Sequence, residues 1–161
     1  MESDKIKKLI WLVMSTVLLS IGLIGCGYHQ INNKISLPKY ISEECCWGEG
    51  TQDYIDYCKY FYDENGIEEF ETHKNFKKVI EADIEEIKSY FEHFSSSVAD
   101  QNYYEKYDFD FHSQIKERDY FCIVTKEGQK AGESVYGKFD NYNVYYVDIS
   151  EGILYFIHLN T

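Results

Sequence analysis

Phe76, Ile80, Ile84, Ile87, Phe91 and Phe94 recur at steps of three and four, which places all six on one face of a helix. Asp83 with Glu86 three residues later also reads as a capping box, which would start a shorter helix and leave Phe76 to Ile80 to a preceding strand. Ser95, Ser96 and Ser97 end it. Downstream the period falls to two: Tyr120 to Thr125, Ser134 to Phe139, Val144 to Ile149 and Ile153 to Leu159 are β-branched and aromatic runs. Turn-rich stretches at Lys126 to Gln129, Asp140 to Asn143 and Ser150 to Gly152 separate them. Short links between consecutive strands force antiparallel neighbours, so the pattern predicts a β-meander of about four strands. Tyr54 to Tyr62 also alternates, and Asn65-Gly66 after it is a hairpin signal, which adds an N-terminal strand or hairpin. A sheet face needs a cover, and the Phe76 to Phe94 stripe supplies it. The fold class is therefore α+β, one amphipathic helix packed on an antiparallel meander.

The N-terminal pattern is of another kind. Lys5, Lys7 and Lys8 precede Leu9 to Gly25, a run without a charge that ends in Leu23-Ile24-Gly25-Cys26. Basic start, apolar stretch and short end motif follow the order of an export signal, and the run falls short of the roughly 20 apolar residues of a membrane span. These residues resemble the lipobox signal peptide of bacterial lipoproteins, and the chain is similar to uncharacterised cell-surface lipoproteins of Gram-positive bacteria. The resemblance implies cleavage before Cys26 and attachment of lipid to its sulfur. Residues 1–25 are then the signal peptide, 26–50 a lipidated tether and 51–161 a single α+β globular domain. The tether, with Asn32, Asn33, Pro38 and Gly48, lacks a sustained period and as a flexible coil would span about 27 Å. Two acyl chains suffice for stable anchoring, so the expected location is the cell membrane, facing outside the cytoplasm.

The formal net charge is −12, and removing the signal makes the rest more negative still. Arg118 is the only arginine, so no basic face exists for nucleic acid, and a cationic partner fits the charge better. Outside the cytoplasm, Cys45, Cys46, Cys58 and Cys122 can form disulfides. A ring between adjacent Cys45 and Cys46 is strained, which favours a link from one of them to Cys58 or Cys122.

Asp108, Asp110 and His112 alternate, so in an extended segment they share a face and could bind a divalent cation. The chain also holds 16 tyrosines, and Tyr142, Tyr145, Tyr146 and Tyr155 form a candidate binding face of rigid rings with polar tips. Tyr103, Tyr104 and Tyr107 extend the same group. His29, His73, His93 and His158 stand apart from any partner legible in the sequence. No nucleophile motif, zinc-protease motif or phosphate loop is present, and no cofactor is implied. The expected function is a lipid-anchored, extracytoplasmic binding module for a protein or a cationic ligand. A metal- or small-ligand-binding lipoprotein built on Asp108, Asp110 and His112 is the alternative, and a hydrolase ranks third.

Overall fold

The alternating runs assemble into a six-stranded sheet, seen in a computed structural model that describes residues 35–47, 54–98 and 107–161. The chain divides into two units, Met1–Ser36 and Leu37–Thr161, and the fold below is that of the second. The signal peptide and Cys26 lie outside the described residues, as do His29, Tyr103 and Tyr104. The elements are β1 (Ser42–Trp47), β2 (Tyr54–Phe61), α1 (Glu64–Glu68), a 3₁₀ turn (Glu69–Thr72) and β3 (Lys77–Lys78). There follow α2 (Glu81–Val98), α3 (Phe111–Gln114), β4 (Tyr120–Thr125), β5 (Lys130–Ala131), β6 (Ser134–Val135), β7 (Asn141–Asp148) and β8 (Ile153–Asn160). The sheet order is β1-β2-β8-β7-β4-β3, antiparallel throughout, and β5 and β6 form a separate hairpin.

The fold class is α+β, a main helix on an antiparallel sheet, and several expected details shift. Residues 42–47, expected within the tether, form the edge strand β1, paired with β2 from Ser42 opposite Phe61 to Trp47 opposite Asp56. An edge strand is held by its ladder, so Ser-Glu-Glu-Cys-Cys-Trp needs no hydrophobic alternation to take that place. Ser134 to Phe139 does not enter the main sheet: only Ser134 and Val135 pair, with Lys130 and Ala131. Of the turn expected at Asp140 to Asn143 only Asp140 lies in one, closed on Gly137, because Asn141 already sits opposite Asn160 and opens β7. Asn65-Gly66 belongs to α1, where the Asp63 side chain caps the helix by accepting from the Gly66 N–H at 2.9 Å. A Cβ at Gly66 would lie 2.8 Å from the Tyr62 ring, so glycine serves close packing there and not a hairpin.

The helix keeps the shorter of its two expected starts, moved three residues toward the N-terminus. Asp83 sits in the first turn and its carboxylate accepts the Ile80 N–H at 3.1 Å, while its own N–H donates to the Ile80 carbonyl at 2.9 Å. Ile80 is thus the capping position and 58% exposed, not part of the buried stripe. Lys77 and Lys78 before it form β3. Ser96 and Ser97 lie inside the helix, their hydroxyls donating to the carbonyls of Glu92 and His93 at 2.9 Å, so the helix runs on to Val98.

Both faces of the sheet are covered. On one, Ile87, Tyr90, Phe91, Phe94 and Val98 of α2 join Phe109, Phe111 and the inward residues Tyr57, Phe121, Tyr142, Val144, Tyr146, Tyr155, Ile157 and Leu159. Alternation sends Cys58, Tyr60, Tyr145, Val147, Leu154 and Phe156 to the other face, where they too are buried. The segment around α1 closes that side through a chain of edge-on rings. Tyr40 meets Tyr60 and Tyr62, Tyr62 meets Phe70, Phe70 meets Phe76 and Phe76 meets Tyr145, at centroid distances of 4.8 to 6.4 Å. Each such ring contributes about 1.5–3 kcal/mol by burial. Gly152 in the β7–β8 turn has φ 67°, and a Cβ there would stand 3.0 Å from the Tyr62 carbonyl oxygen. The Tyr62 N–H donates to the Gly152 carbonyl at 2.9 Å, which ties that segment to the sheet.

Candidate functional site

Asp108, Asp110 and His112 do not converge. The Asp108 carboxylate accepts the Tyr57 hydroxyl at 2.7 Å and the Lys59 ammonium at 2.7 Å, and Lys59 also pairs with Glu44 at 3.1 Å. Partial burial raises the Asp108 carboxyl, but the bonds from Lys59 and Tyr57 outweigh it and hold the group below its ordinary value. Asp110 turns away to cap α3, accepting the Ser113 hydroxyl at 2.7 Å and the His112 N–H at 3.3 Å. The Ser113 bond comes first among the causes that keep its carboxyl low. The His112 ring lies over Phe111, centroids 4.1 Å apart. An Asp with a Ser three residues later caps a helix more readily than it continues a strand, and this undoes the shared face. Among the described residues, no group of three His, Cys, Asp or Glu could hold a metal ion.

The expected tyrosine face is interior. Tyr142 and Tyr146 are 0% exposed, Tyr145 is 1% and Tyr155 is 5%, so none offers a ring to a partner. Their hydroxyls serve the fold instead. Tyr142 donates to the Tyr90 carbonyl at 3.3 Å, and Tyr146 donates to the buried Asp119 carboxylate while accepting the Lys116 N–H at 3.2 Å. Asp119 also accepts the Ile149 N–H at 3.1 Å, and burial pushes its carboxyl up despite these bonds. Tyr107 packs edge-on against Tyr57 at 5.0 Å.

Of the cysteines, Cys45 and Cys58 face each other across β1 and β2 and are joined by a disulfide, Cα to Cα 4.1 Å. Cys46 and Cys122 stand outside that link. Burial pushes the Cys122 thiol up to about 11, against the lowering influence of Lys77, so at neutral pH it is protonated and a poor nucleophile. His158 is pulled below its ordinary value by burial, and its Nδ1 lies 3.2 Å from the Tyr142 carbonyl oxygen. The His93 ring stacks on Phe139 at 4.8 Å, and His73 meets Phe76 edge-on at 5.1 Å.

What the sequence did not disclose is a groove of about 300 Å³ beside the β3 side of β4. Asp83, Glu86 and Tyr90 of α2 form one wall and Ile123 and Thr125 of β4 the other, with Lys77 and Glu127 at opposite ends of the strand. The groove exists because β3 is two residues long. Lys77 and Lys78 pair with Phe121 and Tyr120, and a turn closed by the Phe76 N–H on the His73 carbonyl at 3.1 Å carries the chain away. Three carboxylates against one ammonium give its lining a net negative charge. Its thiol, Cys122, has no histidine among the groove residues to activate it. Comparison of the chain with family models, with curated proteins and with solved structures finds no match.

Proposed function

We propose that this protein is an exported binding module, held to the outer side of the cell membrane by lipid on Cys26, that engages a cationic partner at the groove between α2 and β4. The observation that carries this reading is the groove itself: a polar, carboxylate-lined recess next to the sheet, in a fold where Tyr142, Tyr145, Tyr146 and Tyr155 are turned to packing. A second recess, lined by Cys46, Ile55, Tyr57, Phe94, Val98 and Tyr107, holds only about 10 Å³, too little for a ligand. Export is supported by the basic, apolar and lipobox order at residues 5–26 and by the Cys45–Cys58 disulfide, a bond that persists in oxidising surroundings. Among the described residues no helix is long and apolar enough to cross a membrane.

Two measurements test it. A fatty-acid probe fed to cells should label the wild type and leave Cys26→Ala unlabelled, and equal labelling would remove the anchor. A photo-crosslinking residue at Glu127, beside the groove, should give a discrete adduct on intact cells, while the same residue at exposed Glu64 in α1 should not. Identical adducts from both positions, or none from Glu127, would remove the groove from the reading.

A further inference from the structure

We infer that the uncovered edge of β4 takes up an extended, lysine- or arginine-bearing segment of a partner polypeptide as an additional strand. This rests on the binding-module reading above and specifies its mode. The parity of β4 is fixed by two bonds. The Lys126 N–H donates to the Asn141 carbonyl at 3.0 Å, so even-numbered residues point their backbone groups at β7. The Val79 N–H donates to the Asp119 carbonyl at 2.7 Å, so odd-numbered residues point toward β3. Phe121 finds Lys77 there. Ile123 and Thr125 come after β3 has ended, and among the described residues no strand pairs with them on that side.

Their N–H and C=O groups therefore form a short row of donors and acceptors along the groove, the template that an added strand completes. The side chains around that row decide the occupant. Asp83, Glu86 and Glu127 outnumber Lys77, and the whole chain is acidic at −12. A second copy of this chain would bring the same carboxylates against themselves, and an acidic or neutral strand would forgo the attraction. A strand with basic side chains at alternate positions satisfies both the backbone row and the acidic rim.

The test uses the full-length protein and an eight-residue peptide of alternating valine and lysine. Two control peptides carry either methyl groups on alternate backbone nitrogens or glutamate in place of lysine. Titration followed by amide hydrogen exchange should show the valine–lysine peptide slowing exchange at Ile123 and Thr125. Methylation of the nitrogens that would bond to β4 should weaken binding about tenfold or more. Glu86→Lys with Glu127→Lys should weaken it as well, and salt should shrink the effect. Thr125→Pro removes one outward N–H without touching the bonds to β7, and should abolish the protection at Ile123. Equal affinity of the methylated peptide, equal affinity of the glutamate peptide, or protection confined to other strands would overturn the inference. So would protection at Ile123 and Thr125 that rises with protein concentration in the absence of peptide, since a second copy would then be the occupant. A Glu127 adduct on cells with no peptide effect sinks the added strand and spares the binding module. Peptide protection at the edge with no cellular adduct does the reverse.

Discussion

Tyr57 and Tyr62 are both buried tyrosines on neighbouring stretches of chain, and their hydroxyls have opposite fortunes. The Tyr57 hydroxyl donates to Asp108, while among the described residues the buried Tyr62 hydroxyl has no hydrogen-bond partner. An unpaired buried hydroxyl costs about 1–3 kcal/mol, whereas a made bond contributes about 0.5–1.5 kcal/mol. Tyr62→Phe should therefore raise the midpoint of urea unfolding or leave it unmoved, and Tyr57→Phe should lower it. A fall for Tyr62→Phe would mean that its hydroxyl is satisfied after all. His158 makes a second prediction. Its folded value lies below the ordinary 6.5 because burial disfavours the cation, so the stability it contributes is full above 6.5 and is lost as pH falls through the lowered folded value. Wild-type protein should weaken more between pH 7 and 5 than His158→Gln, and the His158 imidazole should titrate below 6.5 by NMR. At this scale residue type was legible and environment was not. Asp108 and Asp110 looked alike in the sequence, yet one ended on Lys59 and Tyr57 and the other on the first turn of α3, because the partners that decide this come from distant β2 or from a local cap.

Among the elements, α2 and three of the meander strands were readable because each shows one dominant period. Phe91 and Phe94 face the sheet as their spacing required, and β4, β7 and β8 follow their alternation. β1 was hidden because it sits at an edge, where pairing to β2 and not a hydrophobic face holds it. The disulfide between Cys45 and Cys58 reinforces that pairing, and closing a loop with a sequence separation of 13 is worth about 3 kcal/mol. Reduction should lower the free energy of unfolding by about 2–3 kcal/mol, and β1 amides should exchange earliest in the reduced protein. Unchanged stability on reduction would show that the bond adds nothing to the ladder. The tyrosine runs of β7 and β8 misled for a related reason. Tyr142 and Tyr145 point to opposite faces, and a sheet wet on one side would expose one of them. The cover over that side comes from Tyr62, Phe70 and Phe76, whose spacing matches neither a helix nor a strand.

At the scale of the molecule, the sheet order places β8 between β2 and β7, with long ladders on both sides. The β1–β2 hairpin touches the rest of the sheet through β8 alone. Local periodicity carries no record of that arrangement, which is why the alternation of β2 and of three meander strands was legible and the placement of β2 beside β8 was not. The groove escaped for the same reason, since it depends on where β3 stops relative to β4. The strand order also bears on timing. While a ribosome is still adding residues before Ile153, the first hairpin has nothing to dock against, and the central seam of the sheet cannot be stitched. The seam therefore closes only once synthesis has passed residue 160, when the last strand locks the two halves together.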